Sequence, residues 1–252
     1  MMLNLLLSLA LAGQSPLTAQ SLSLTPKTVT TIRFSNSKEK IRQMAWSPDG
    51  TQLYIQTYEA KTDGTPKTLH HYLVPATGGD SKSISDSPEW AIEYLLWKTA
   101  QASPDDPAFK IELEQTKRKM TATSTPMAGD MARGGTVDAN AGTSVDAAMS
   151  AANQTQMVGV VTFRLKGEVI GEFVNEPTIP GLTFGWGPKG TGIVAFADQG
   201  KGQLVLLDKT GAKKKIDGTK GVVTPSWSPD GTRLAYLEPR GKQFAVIVGD
   251  VR

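Results

Sequence analysis

Apolar and polar residues alternate along this chain in short runs of strand length, separated by turns rich in Gly, Pro, Asp and Thr. The alternation is clearest at Arg233-Leu234-Ala235-Tyr236-Leu237. Similar runs cover Thr28 to Phe34, Leu69 to Val74, Gln203 to Asp208 and Gln243 to Val248, and each predicts a strand. Turns are predicted at Ala76-Thr77-Gly78-Gly79 and at Lys209-Thr210-Gly211. Val158 to Val174 reads as a hairpin that reverses at Lys166-Gly167. Glu89 to Lys98 has mixed apolar spacing, which fits a strand or one or two helical turns. Phe109 to Glu114 and Lys119 to Thr125 read as two strands flanking a charged hairpin. From Pro126 to Gln156 the chain is mostly Gly, Ala, Ser, Thr, Asn and Met, with no apolar run of strand length. That composition does not bury enough apolar area to offset the entropy of ordering, so residues 126–156 are expected to form a flexible loop.

One pattern repeats. Ala45-Trp46-Ser47-Pro48-Asp49-Gly50-Thr51-Gln52-Leu53-Tyr54 aligns with Gly185-Trp186-Gly187-Pro188-Lys189-Gly190-Thr191-Gly192-Ile193-Val194. It aligns again with Ser226-Trp227-Ser228-Pro229-Asp230-Gly231-Thr232-Arg233-Leu234-Ala235. The last two tryptophans are 227 − 186 = 41 residues apart, within the roughly 40–45 residues of a four-stranded propeller blade. Each position of the motif has a physical role. A strand ends at Trp, Pro presets φ at the start of the turn, Asp bonds nearby backbone amides, and Gly supplies the positive φ that closes the turn. The next strand starts after Thr, and the Trp is expected to pack between neighbouring blades. In the second copy Gly187 and Lys189 replace Ser and Asp, which removes the Asp-turn bond and keeps Pro and Gly.

These motifs resemble the blade repeats of TolB-type propellers and related WD-like repeat proteins. Residues 40–85 and 180–250 carry the resemblance, and the middle third does not. The resemblance implies an exported propeller that works through protein–protein contacts in the cell envelope. The fold expected is all-β and propeller-like, with about four four-stranded units, irregular or incomplete, and one long disordered insertion. One domain is expected over residues 28–252, interrupted by the loop at 126–156. Thr28 to Phe34 is expected to pair with the C-terminal strand and close the ring.

Composition narrows the function. Hydrophobic residues at 39% and charged residues at 20% suit a globular chain with a real core. Much of the positive excess lies between Lys209 and Lys220, a stretch with no aromatic residue. That argues against a nucleic-acid face and for a solvated hairpin tip. The absence of cysteine removes disulfides, thiolate metal sites, a cysteine nucleophile and a lipid anchor on an N-terminal cysteine. Leu3 to Ala12 is an apolar run of signal-peptide length, too short to span a bilayer. Residues 1–19 are therefore read as a cleavable signal peptide, cut after Ala12 or after Ala19, and the mature protein as periplasmic or secreted. No other stretch predicts a transmembrane segment.

Candidate chemistry is sparse. The two histidines, His70 and His71, are adjacent, so on a strand they face opposite ways and do not share a site. With so few histidines and no Gly-x-Ser-x-Gly elbow, a Ser-His-Asp triad is not indicated. Asp49 and Asp230 recur with the turn and are read as turn stabilisers, and Asp105-Asp106 as a loop before Pro107. Met120, Met127, Met131, Met149 and Met157 offer soft ligands, at spacings that read as chance composition. No catalytic, cofactor-binding or metal-ligating residue is assigned, and no cofactor is expected. The function expected is a non-catalytic scaffold that binds a protein partner or a small ligand in the envelope. A carboxylate-based hydrolase or lyase at the central channel is one alternative. A gating or accessory propeller of a peptidase-like system is the other.

Overall fold

A computed structural model describes residues 18–61, 66–98, 100–119, 155–175, 184–188, 190–198 and 202–252. Its strands form four antiparallel sheets, three of four strands and one of three. β1 (Leu24–Arg33) comes first in the chain. Blade 1 follows, with β2 (Glu39–Trp46), β3 (Gln52–Ala60), β4 (Pro66–Pro75) and β5 (Lys82–Ile84). A helix, α1 (Glu89–Lys98), leads to blade 2, made of β6 (Phe109–Lys119), β7 (Thr155–Leu165) and β8 (Glu168–Asn175). Blade 3 contains β9 (Phe184–Trp186), β10 (Ile193–Ala197), β11 (Leu204–Asp208) and β12 (Lys213–Lys215). Blade 4 contains β13 (Val223–Trp227), β14 (Arg233–Arg240) and β15 (Gln243–Val251), and β1 pairs antiparallel with β15 as its fourth strand. The fold is thus all-β and propeller-like, and the N-terminal strand completes the last blade as the sequence predicts.

Of the two readings open for Glu89–Lys98 the structure takes the helical one and extends it over all ten residues: Glu89 in its first turn and Lys98 in its last suit the helix dipole. Ala91, Tyr94 and Lys98, spaced by three and four residues, form its buried face. Phe109–Lys119 is one strand paired residue by residue with β7, so there is no charged hairpin at 115–118. β7 begins at Thr155, which takes Thr155 and Gln156 out of the expected loop; residues 126–154 lie outside the described residues. Lys213–Lys215 is the outer strand of blade 3, paired with β11, rather than a hairpin tip. The turn at Lys166-Gly167 has φ of 51° and 89°, as a two-residue hairpin of right-twisted strands requires.

The first and third motif turns are built alike. The Asp49 carboxylate accepts from Ser47 Oγ at 2.6 Å, Thr51 N at 3.0 Å and Thr51 Oγ1 at 2.8 Å. The Asp230 carboxylate accepts from Ser228 Oγ at 2.5 Å, Thr232 N at 3.1 Å and Thr232 Oγ1 at 2.9 Å. Gly50 and Gly231, at φ 68° and 74°, close these turns. The second turn differs from the expectation that its carboxylate bonds are lost. Asp105, from the loop before β6, accepts hydrogen bonds from Gly190 N and Gly192 N. Ser does not fit at position 187, where a Cβ would press on Thr191 Oγ1 and come within 2.9 Å of the backbone oxygen of Ile193.

Each motif tryptophan is fully buried at a seam between blades. Trp46 joins blade 1 to blade 4, with Nε1 donating to Ser226 O at 2.8 Å and the Arg233 guanidinium 4.9 Å from its ring centroid. Trp227 lies in the cluster shared by blades 4 and 3. Trp186 lies in the cluster shared by blades 3 and 2, 4.9 Å from the Phe109 ring, and donates to Ala100 O at 2.7 Å. Among the described residues no buried apolar cluster joins blade 1 to blade 2. On β3, Leu53 and Ile55 pair with Trp46 and Met44 on the face toward blade 4. The opposite face carries Tyr54 and Gln56, which bond to His71, Ser87, Arg42 and Gln43. Among the described residues, three apolar seams join the four blades into an arc.

Candidate functional site

Inner strands β2, β9 and β13 lie side by side, and their three motif turns emerge at the same end. Helix α1 packs on these strands at that end. Tyr94 OH donates to Trp227 O at 2.5 Å, and Lys98 Nζ donates to Ser226 Oγ at 2.6 Å, so the helix is pinned to β13. Between helix and turns is an open cleft of about 350 Å³. One wall is made of the prolines of all three repeats, Pro48, Pro188 and Pro229. The other presents Trp90, Tyr94 and Trp97 from α1, with Trp46 at the base and Glu93 as the one charged lining residue among those described. Tyr94 and Trp97 pack at 5.4 Å with rings inclined by 62°. Trp90 meets Tyr54 edge-on at 6.3 Å, which fixes one side of the cleft to blade 1. On its outer face α1 leaves Ile92 and Leu96 55% and 71% exposed.

The electrostatics of this end follow from the same elements. Side-chain and backbone hydrogen bonds from Ser47 and Thr51 hold the Asp49 carboxyl down at about 2. Burial pushes the Asp230 carboxyl up, but hydrogen bonds from Ser228 and Thr232, with Arg233 nearby, outweigh it and leave it below the usual range. Beneath the cleft, Lys98 is 1% exposed and, among the described residues, pairs with no carboxylate. Burial alone brings its amine down to about 7. Burial also pushes the Tyr94 phenol up. Next to them Thr224 holds a positive φ of 50°, and its Oγ1 and the Trp227 Nε1 are buried with no hydrogen-bond partner among the described residues.

The sequence candidates fall elsewhere. His71 Nδ1 bonds Tyr54 OH at 2.7 Å, and burial lowers the pKa of its imidazole. His70 points to the other face, with Nε2 3.4 Å from Glu59 Oε1. The two therefore do not converge. Asp49 and Asp230 stabilise their turns, and Asp106 accepts from Ala108 N at 2.9 Å. Among the described residues, no group of three His, Asp or Glu side chains is placed to hold a metal. Met120, Met127, Met131 and Met149 lie outside the described residues, and Met157 sits on β7 opposite Lys117. Sequence reasoning missed Trp90, Glu93, Tyr94, Trp97 and Lys98. The signal was present: a helical reading of 89–98 puts Trp90, Glu93, Tyr94 and Trp97 at i, i+3, i+4 and i+7, one face of a helix.

No protein-family model matches the sequence, and neither does any curated protein. Solved structures similar in fold include the β-propeller domain of Cps50 (Swd1) from Myceliophteria thermophila, at 10% identity and a TM-score of 0.24. The chain is covered over 83% of its length and spans 54% of that domain. An oligogalacturonate lyase in complex with manganese matches at 12% identity and a TM-score of 0.25, over 86% of this chain and 67% of its own. Oligogalacturonate lyase from Vibrio parahaemolyticus matches at 10% identity and a TM-score of 0.24, over 85% of this chain and 67% of its own. All three are propeller-like neighbours at low similarity, and what they bind or cleave does not carry over to this chain.

Proposed function

We propose that this protein is an exported, non-catalytic scaffold of the TolB-like kind that binds a protein partner at the turn end of its blades. The observation that carries this reading is the cleft between the three motif prolines and the aromatic face of α1. Exposed apolar surface of this kind, bordered by polar groups, marks interaction sites. Rigid elements position it, since α1 is pinned to β13 by Tyr94 and Lys98. Export rests on the apolar run Leu3 to Ala12. Ala19 is buried, and its N–H donates to Asp208 Oδ2 at 2.8 Å, which favours the cut after Ala12. Among the described residues no helix is long and apolar enough to cross a membrane.

A carboxylate-based glycoside hydrolase needs two carboxyl groups flanking one bond. Among the described residues Glu93 is the one carboxylate that lines the cleft, and the nearby Asp49 and Asp230 oxygens are taken up by their turns. The pair of Lys98 Nζ and Ser226 Oγ is buried at 1% and 0% exposure, beyond a substrate's reach. The test is a crosslinking pull-down from the cell envelope with tagged wild type and the Trp90→Ala/Trp97→Ala variant. The expected result is one stoichiometric protein partner, captured by wild type and lost from the variant. A partner retained by the variant overturns the cleft as its site, and an empty wild-type capture overturns the partner reading.

A further inference from the structure

We infer that the cleft receives a positively charged side chain, lysine or arginine, presented by a protein partner. The inference rests on the partner-binding reading above and specifies the chemistry of its occupant. The faces of Trp, Tyr and Phe rings are electronegative, and cations over them are attracted, most strongly by Trp. Two of the chain's five tryptophans, Trp90 and Trp97, present half-buried rings to this cleft, with Tyr94 and the fully buried Trp46 at its base. The molecule already uses this chemistry there, with the Arg233 guanidinium 4.9 Å from the centre of the Trp46 ring.

Charge points the same way. Glu93 is the only charged lining residue among those described, and it lies in an otherwise apolar wall where an unpaired carboxylate favours a cationic partner. Pro48 is followed by Asp49 and Pro229 by Asp230, both carboxyls held below their usual range. Beside Pro188, the Asp105 carboxylate sits on Gly190 N and Gly192 N. These aspartates spend their oxygens on turn donors, so they act on an incoming cation through their field rather than by contact. Arg233, over the Trp46 ring and donating to Gly50 O at 2.7 Å, keeps its positive charge and offsets one of these three carboxylates, which leaves the balance around the cleft negative. A cleft of about 350 Å³ admits one long side chain and its neighbouring backbone rather than a folded domain.

Calorimetric titration of the whole protein with capped pentapeptides, Gly-Gly-X-Gly-Gly with X as lysine, arginine, norleucine or glutamate, tests the inference. The lysine and arginine peptides are expected to bind at least about tenfold more tightly than norleucine, and the glutamate peptide more weakly than either. Glu93→Gln is expected to remove about tenfold of the lysine affinity and to leave norleucine binding unchanged. Norleucine bound as tightly as lysine overturns cation recognition and leaves the cleft as an apolar docking site. Free n-butylammonium bound as tightly as the lysine peptide overturns the protein side chain as its source. If no peptide binds while the envelope partner still depends on Trp90 and Trp97, the cation is wrong and the partner site stands. If no peptide binds and the partner ignores those tryptophans, both readings fail.

Discussion

The first and third motif turns carry their own carboxylate, whereas the second borrows one from another blade. At Ser47–Thr51 and Ser228–Thr232 the aspartate, its serine and its threonine are within four residues of one another, and the hydrogen-bond set is the same. At the second turn Gly187 removes the serine, and Asp105 reaches Gly190 N and Gly192 N from more than eighty residues upstream. The backbone demand is constant, since each turn presents amides that want an acceptor and a glycine at positive φ. What varies is whether the acceptor is local. A borrowed acceptor ties blade 2 to blade 3, and the regular turns form no such tie through their aspartates.

Breaking a seam should cost most. Trp46→Ala removes a fully buried indole and its bond to Ser226 O, and is expected to destabilise by about 3–5 kcal/mol in urea unfolding. Asp105→Ala should follow at about 1.5–3 kcal/mol, since it strips charge-assisted bonds from two amides of another blade. Asp230→Ala, exposed and local, should cost clearly less. Equal effects from the two would show that Asp105 does no more than a turn aspartate.

Gly231→Ala and Gly190→Ala sharpen the same contrast. Both glycines have positive φ, so each alanine should cost about 1 kcal/mol. At Gly231 the new Cβ also comes within 3.0 Å of Pro188 Cγ, while at Gly190 nothing lies within 4 Å. Gly231→Ala should therefore be the worse of the two, and thermal melts that rank them the other way would contradict the turn packing.

The same end of the molecule should also respond to pH. Between about 7 and 10.5 the unfolded chain holds a proton on Lys98 that the folded chain has released, so stability should rise with pH across that window. The slope for one group is at most about 1.4 kcal/mol per pH unit. Above pH 10 the buried Tyr94 and Tyr236, whose phenols burial pushes up, keep protons that the unfolded chain loses, and stability should fall again. Denaturant midpoints measured from pH 6 to 11 should peak near pH 10. Lys98→Met should flatten the rising limb; an unchanged limb would place its origin elsewhere.

Much of the blade architecture is legible in the sequence because the motif is local. Trp, Pro, Asp and Gly act within five residues, and period-two alternation marks the strand that follows. The cleft is not legible in the same way. Its walls come from turns as far apart as Pro48 and Pro229, and only the folded arc brings them together. The sequence leaves Glu89–Lys98 open between a strand and one or two helical turns because apolar residues occur on several of its faces: Ala91 faces the strands, Trp90, Tyr94 and Trp97 the cleft, and Ile92 and Leu96 solvent. Lys98 is missed because buried lysines are rare, and nothing beside it in sequence announces an unpaired amine.

Five indole N–H groups report on this molecule, three from cleft tryptophans and two from Trp186 and Trp227, which do not line it. Their nitrogen–proton resonances, followed by NMR while the capped lysine pentapeptide is added, test the central claim most directly. Shifts in Trp90, Trp97 and Trp46, with Trp186 and Trp227 unmoved, are the predicted result. Shifts confined to Trp186 or Trp227, or none at concentrations that saturate the calorimetric signal, would contradict a binding site in the cleft.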